Sequence, residues 1–223
     1  MKQLAHGFPL PVLGCFGFGE SERLYSISSK EQFAIETMIQ SKALETLRLV
    51  LRPLTVDDAP AIARLAGRRE IADTTLAIPH PYSEEQARVW LSSQAVADNT
   101  KPRHIVFAAT LKPDGQLIGA IGLHNVDLEH ALAEMGFWIG VEFWGRGYAT
   151  EGAARVIRFG FEELNLNRVF ANHMVRNPAS GRVLEKVGMK REGLLRQRVR
   201  KWGVFEDIIL LATLRQDWAS KSF

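Results

Sequence analysis

The chain has 223 residues, of which 46% are hydrophobic and 24% are charged, values that fit a globular protein with one sizeable core. The formal net charge of +3 is too small to indicate nucleic-acid binding by itself. The single cysteine, Cys15, excludes a disulfide framework and a cysteine-based zinc site, so we expect a reducing, cytoplasmic setting. No apolar run reaches the roughly 18–20 residues that span a bilayer, so no membrane partner is expected.

The first 40 residues differ in composition from the rest and are predicted to be an N-terminal appendage of unknown role, with residues 41–223 forming the main domain. The appendage is either an accessory arm or sequence upstream of a natural start at Met38. Its residues 12–15 are similar to a lipoprotein cleavage site, but the preceding region is too short and too interrupted for a signal peptide. A short helix is predicted at 29–40.

A strand and two capped helices open the main domain. Residues 47–52 alternate between apolar and polar side chains, which predicts a strand that the following proline ends. Thr55 with Asp58, and Ser83 with Gln86, have the spacing of a capping box, so a helix is predicted to begin at each site.

Three strands in a meander are predicted next, at 104–111, 117–124 and 133–141. A helix with one apolar stripe follows at 150–164, and a further strand at 168–175.

The last part of the domain contains a helix and a hairpin. Asn177 and Pro178 are typical of a helix N-cap and first position, and Gly188 of its end. Strands at 193–201 and 204–214 are predicted to pair. This order of elements predicts an α/β (α+β) domain with a mixed, mostly antiparallel sheet, flanking helices and one parallel crossover.

A glycine-containing loop joins the strand at 133–141 to the helix at 150–164. Residues 143–151 read FWGRGYATE and match neither the dinucleotide fingerprint nor a P-loop. Free amides at the start of a helix favour an anion, and glycines let a phosphate approach the backbone closely. The loop is therefore either a phosphate-binding site or only a tight turn.

The same loop resembles the pyrophosphate loop of the GNAT superfamily of N-acetyltransferases, whose usual form is Arg/Gln-x-x-Gly-x-Gly/Ala. Trp144 stands at the first place, Gly147 at the glycine and Ala149 at the last. Downstream, residues 177–193 are similar to the Asn-x-x-Ser, Glu-Lys-x-Gly and Glu-Gly block of the RimJ/RimL-like branch, the ribosomal-protein N-terminal acetyltransferases. The resemblance covers roughly residues 44–218 in the family's order.

The resemblance implies the GNAT fold, in which the strands at 134–141 and 168–175 splay apart and receive acetyl-CoA as co-substrate, with no metal. Arg146 either adds charge at the diphosphate or only faces solvent. The residues implied to bind the cofactor are Trp138, Ile139, Val141, Gly145, Arg146, Gly147, Tyr148, Ala149, Thr150 and Asn177.

The catalytic residues implied by the resemblance are Ser180, as the acid that protonates the leaving thiolate, and Asn177, as its partner. Both residue types are also ordinary at the start of a helix. The resemblance supplies no matching residue for the catalytic base, because Val199 stands where the ribosomal-protein enzymes have a glutamate. Glu134 is predicted to replace it, unless it only pairs across strands, and the runners-up are the imidazoles of His124 and His173.

The predicted function is transfer of an acetyl group to a primary amine by direct attack in a ternary complex, the acceptor being a protein N-terminal α-amine or a small amine. The loop at 73–82 and the helix carrying Trp90 are expected to form one wall of the acceptor site. One predicted strand carries Arg196, Arg198 and Arg200. This basic face either attracts an acidic acceptor or is simply exposed to solvent. The alternative function, motivated by Val199, is a catalytically silent acyl-CoA-binding or sensing module. A homodimer is a further expectation, and nucleic acid is not expected as a partner.

Overall fold

The computed structural model describes residues 42–94 and 103–219. The predicted helix at 29–40 and the lipoprotein-like residues 12–15 lie outside these ranges. Within them, no helix has the length and apolar character needed to cross a membrane. The same residues contain no group of three His, Cys, Asp or Glu side chains arranged to hold a metal ion.

One eight-stranded sheet runs through the protein in the order β1-β2-β3-β4-β5-β6-β8-β7. All neighbouring strands are antiparallel except the pair β5 and β6, which is parallel. The strands are β1 Leu44–Glu45, β2 Leu49–Pro53, β3 Arg103–Leu111, β4 Leu117–Asp127, β5 Leu132–Ile139, β6 Arg168–Met174, β7 Lys190–Lys201 and β8 Val204–Leu214. The predicted mixed sheet is confirmed.

The helices flank this sheet and begin where capping residues stand. Thr55 and Ser83 form the predicted boxes: the Thr55 amide donates to Asp58 Oδ2 at 2.8 Å, and the Ser83 amide donates to Gln86 Oε1 at 2.9 Å. The helices are α1 Ala59–Ala66, α2 Arg69–Ala72, α3 Glu84–Gln94, α4 Tyr148–Glu162, α5 Pro178–Lys186 and α6 Arg215–Ala219.

The predicted splay between β5 and β6 is confirmed by their register. The two strands pair at only three positions, the last of which joins Glu134 to Phe170. β6 then continues along β8 as far as Met174, and β5 continues along β4 as far as Ile139. A gap therefore opens between β5 and β6 beyond Glu134.

The two faces of the sheet differ around this gap. On one face, which we call the helix face, α4 packs on Ile121 and Leu123 of β4, and α5 packs on His173 of β6. Because side chains alternate along a strand and cross-strand partners share a face, the other face carries Glu134 and Asn172. We call it the Glu134 face.

Several element boundaries were wrong. Val141 lies in a 3-10 turn at Val141–Phe143, because β5 ends at Ile139, and α4 begins at Tyr148, two residues earlier than expected. The predictions also missed β1, α2 and α6. These elements have five residues or fewer, too few to show a hydrophobic period.

Candidate active site

The loop after β5 leads into α4 through two glycines in the left-handed region. Gly145 has φ 74° and Gly147 has φ 80°, conformations that side chains disfavour. The first amide of the helical ladder is that of Glu151, which donates to the Gly147 carbonyl at 3.0 Å. The amides of residues 148–150 precede it and have no intrahelical acceptor, so they form an anion-binding helix start.

Trp144 contributes to the shape of this loop rather than to its charge. Its indole Nε1 donates to the Ile139 carbonyl at 2.6 Å, which ties the loop to the end of β5. Arg146 is exposed, and its guanidinium carbon lies 6.0 Å from the centre of the Phe143 ring. The structure therefore leaves both interpretations of Arg146 open.

A partly buried carboxylate that the sequence analysis missed supports the loop. Glu151, in the first turn of α4, accepts from Thr46 Oγ1 at 2.6 Å, from the Arg48 amide at 2.7 Å and from Arg48 Nε at 2.6 Å. Arg48 also donates to the Arg146 carbonyl at 2.9 Å and lies over the Tyr148 ring. Burial raises the pKa of Glu151, but these hydrogen bonds outweigh burial and lower it below 4.5.

Along β5, the backbone amides point alternately towards β4 and towards the gap. The Gly140 amide donates to the Ile118 carbonyl of the β4 side at 2.8 Å. Since successive residues of a strand direct their amides to opposite sides, Trp138 also faces β4, whereas Phe137 and Ile139 face the gap. Two residues at the end of β5 are implied to bind the cofactor. Ile139 presents its amide to the gap, whereas the Trp138 amide belongs to the sheet ladder.

Ser180 and Asn177 interact at the start of α5. The Asn177 side chain accepts from the Ser180 amide at 3.3 Å and donates from Nδ2 to Ser180 Oγ at 2.9 Å. An Oγ that accepts in this way still carries its own O–H donor. Asn177 is thus both the helix cap and the group that orients the Ser180 hydroxyl.

Glu134 lies at the vertex of the splay and is held by two amides. Asn172 Nδ2 donates to Oε1 at 3.0 Å, and Asn125 Nδ2 donates to Oε2 at 3.2 Å. His124 stands directly across from Glu134 on β4, and its Nδ1 lies 3.3 Å from Nδ1 of His104. Burial, assisted by His104, lowers the pKa of His124 below 6.5, although Glu134 opposes the shift.

His173 occupies a different environment from the other candidates. It is buried on the helix face, its Nδ1 lies 2.9 Å from the Met174 carbonyl, and its ring packs against Gly181. A Cβ at Gly181 would lie 2.7 Å from His173 Nε2. The structure therefore places His173 in the packing between α5 and the sheet, and only His124 accompanies Glu134.

Val199 faces a carboxylate across the hairpin. It pairs with Glu206 of β8, on the Glu134 face of the sheet. Glu206 Oε1 accepts from Arg176 Nε at 2.7 Å. Arg176 also holds Asp73, the first residue of the loop expected to form the acceptor wall, so that loop does lie beside the gap. Farther along the loop, the Ile78 carbonyl lies 3.5 Å from Lys201 Nζ.

These groups approach β6 from its two faces. Ser180 precedes Gly181, which packs on the helix face, whereas Glu134 bonds Asn172 on the other face. The gap between β5 and β6 joins the two faces, and the free amides of α4 lie at its open end. The helix side thus carries free amides and a hydroxyl, and the Glu134 side carries a carboxylate. The fold and site together define an acyl-CoA-dependent acyltransferase.

The chain belongs to the GNAT acetyltransferases, because the acetyltransferase (GNAT) domain family matches residues 48–190. YoaA, an uncharacterised N-acetyltransferase of Bacillus subtilis, is 36% identical over 154 residues, 69% of this chain and 86% of YoaA. YdaF, a proposed ribosomal N-acetyltransferase of the same organism, is 39% identical over 110 residues, 49% of this chain and 60% of YdaF.

The fold matches that of spermidine N-acetyltransferase from Vibrio cholerae, solved in complex with CoA and spermine. The TM-score is 0.67 at 24% identity, covering 77% of this chain and 98% of the other. The resemblance to the GNAT superfamily is thereby confirmed. The protein is an N-acetyltransferase, and acetyl-CoA is its co-substrate.

Proposed function

We propose that the protein acetylates a primary amine by direct attack in a ternary complex, with Glu134 as base and Ser180 as acid. The observation that carries this assignment is the position of Glu134. Its carboxylate stands at the vertex of the β5–β6 gap, oriented by Asn125 and Asn172, on the side of the sheet opposite the α5 start. Each amide donates to a different carboxylate oxygen, so the two hydrogen bonds fix the orientation of the group at the gap.

The proposed reaction uses three groups of this chain. Glu134 takes a proton from the acceptor ammonium, directly or through water, and the neutral nitrogen attacks the thioester carbonyl carbon. The amides of Phe137 and Ile139, which face the gap, are placed to stabilise charge on the carbonyl oxygen. When the carbon–sulfur bond breaks, the Ser180 hydroxyl donates its proton to the departing thiolate, and the second proton that the nitrogen loses in forming the amide returns through water to restore the Ser180 hydroxyl. Proximity of the two bound substrates supplies much of the remaining acceleration.

The acceptor is proposed to be either a protein N-terminal α-amine or a small amine. YdaF supports the first class by its proposed ribosomal role, and the spermidine N-acetyltransferase of Vibrio cholerae supports the second. Nothing in these relatives supports the alternative of a silent binding module.

The test is calorimetric titration with acetyl-CoA, followed by thiol release with N-terminal peptides and small amines. We expect binding and thiol release on one acceptor class. Ser180→Ala and Glu134→Gln should lower turnover while keeping acetyl-CoA binding. Binding without thiol release on any amine would favour the silent module, and no binding would overturn the assignment of the α4 loop.

A further inference from the structure

Arg176 forms a three-way link between segments that border the acceptor side of the gap. Its Nη1 donates to Asp73 Oδ2 at 2.5 Å and its Nη2 to the Asp73 carbonyl at 2.7 Å, while its Nε donates to Glu206 at 2.7 Å. Arg176 follows the end of β6 and immediately precedes Asn177. One guanidinium therefore ties the loop after α2 and strand β8 to the start of α5.

The two carboxylates that Arg176 holds face the route by which an acceptor would reach Glu134. Glu206 shares the Glu134 face, as successive partners along β6 and β8 show. Asp73 begins the loop at 73–82, which contacts β7 through Lys201 and Ile78. Together these residues form a wall of the cleft on the acceptor side.

The charge of this wall is nearly balanced. Asp73 and Glu206 supply two negative charges, and Arg176 and Lys201 supply two positive charges. The carboxylates are used in holding Arg176 and are not free to bind a cationic ligand. The exposed fractions of the Arg176, Asp73 and Glu206 side chains are 35%, 39% and 15%, so a second cation can reach the carboxylates once Arg176 is removed.

We infer that Arg176 is a specificity-determining residue: it occupies Asp73 and Glu206 and, together with Lys201, offsets their charge, so that the site accepts amines with one positive charge and rejects polyamines. This inference rests on the proposed function, because it assumes that the acceptor enters on the Glu134 face. Specificity of this kind works by removing an attraction for the wrong ligand rather than by adding contacts to the right one.

The test is calorimetric binding of spermidine to the CoA complex of the wild type and of Arg176→Gln. The variant keeps a long polar side chain but frees the two carboxylates. We expect spermidine to bind about tenfold more tightly to the variant, a gain that salt should screen. Arg168→Gln is the matched control, since Arg168 is likewise an arginine that pairs with a glutamate, Glu192, but it lies at the opposite end of β6, away from the wall. A folded Arg176→Gln protein with unchanged spermidine binding would overturn the inference.

A second variant covers the case in which Arg176→Gln does not fold. Asp73→Asn leaves Arg176 with one carboxylate partner and gives the wall a net positive charge. We expect its kcat/KM for a peptide with an acidic second residue to rise about tenfold relative to a neutral peptide. An unchanged ratio would count against the inference. Failure of the proposed function is a separate result, because it would appear as wild-type protein that releases no thiol with any amine.

Discussion

At the scale of single residues, Glu134 and His124 form the central pair of the candidate site. They stand opposite each other on neighbouring strands, yet their environments differ. Two amides hold the Glu134 carboxylate, whereas burial lowers the pKa of His124 and keeps its imidazole neutral at pH 7. Glu134 is therefore the stronger candidate for the base, and a neutral His124 is suited to passing a proton to or from it.

Glu134→Gln should lower kcat by about 10²–10⁴ while leaving acetyl-CoA affinity unchanged, because the amide keeps the shape of the side chain but is not a base. The measurement is thiol release at saturating acetyl-CoA, with acetyl-CoA affinity measured in parallel by calorimetry. Glu192→Gln is the control, because Glu192 lies on β7 and its carboxylate pairs with Arg168. A variant with wild-type kcat would return the base assignment to His124.

Gly147→Ala should weaken acetyl-CoA binding, because it strains the start of α4. Its φ of 80° costs an alanine about 1–2 kcal/mol. A Cβ would also lie 3.4 Å from Arg48 Nη2, which supports the loop. Calorimetric binding and thermal unfolding should be measured together with Gly115→Ala, where φ is 68° and no atom lies within 4 Å of the new Cβ. Both variants should lose stability, and only Gly147→Ala should lose affinity. Equal affinities would contradict a direct role for this loop.

At the scale of elements, two ion pairs connect the two ends of β2 to α4 and to the start of α1. Arg48 and Glu151 join the start of β2 to α4, and Arg52 and Asp58 join the end of β2 to the turn before α1. In each pair the carboxylate is largely buried, so its charge depends on the arginine and nearby donors. The helix proposed to bind the cofactor is thus positioned by a residue 103 positions earlier in the chain.

Asp58→Asn should lower the free energy of unfolding by about 1–3 kcal/mol, because it weakens a buried charge-assisted pair and leaves Arg52 without its full partner. Asp58 is 7% exposed, and Arg52 donates to it at 2.9 and 2.6 Å. Urea denaturation measures the effect. Asp57→Asn, one residue earlier at an exposed side chain, should change stability little. Equal midpoints for the two variants would contradict this account of the α1 start.

At the scale of the whole molecule, several carboxylates link stability to pH in the same direction. Their folded-state pKa values lie below the ordinary values of 3.8 and 4.5. Burial raises the pKa of Asp58, but hydrogen bonds from Arg52 and Thr55 more than compensate, and burial raises the pKa of Glu151, but hydrogen bonds from Thr46 and Arg48 more than compensate. For Glu192, the hydrogen bonds from Arg168 are the largest cause of its lowered pKa. A lowered pKa gives stability that is present above the unfolded-state pKa and is lost as pH falls through the folded-state pKa.

The free energy of unfolding should therefore hold steady, as far as these carboxylates are concerned, above about pH 5 and fall below about pH 4. Urea midpoints measured at successive pH values test this. Asp58→Asn should flatten the decline because it removes one of the contributing groups. A midpoint that rises on acidification would contradict the sign of the shifts.

The resemblance also predicts a homodimer, which would have a mass of twice 25.0 kDa. The β7–β8 hairpin at the sheet edge exposes apolar side chains, among them Leu194 and Phe205. Light scattering after size-exclusion chromatography measures the mass directly. A mass of one chain would show that the expectation is wrong.

Much of the fold followed from local patterns. Capping residues at Thr55, Ser83 and Asn177 predicted where helices begin, because the capping hydrogen bonds join residues only three positions apart. The strand order in sequence and the single parallel pair followed from alternation and connection lengths. Boundaries differed by two or three residues, as at Val141, because the apolar run continues to Val141 although the backbone already forms a 3-10 turn at Val141–Phe143.

The sequence by itself identified the family and the place of the α4 loop, and it supplied Ser180, Asn177 and Glu134 as site candidates, which stay predictions. All of these are carried by short spacings or by residues in a recognisable order. Only the tertiary structure decided that His173 lies in the packing between α5 and the sheet, that the Trp138 amide belongs to the ladder, that Glu151 bonds Arg48, and that Arg176 pairs with Asp73 and Glu206. Those roles depend on which side of a strand a group faces, or on partners up to 103 positions apart, and neither leaves a local mark in the chain.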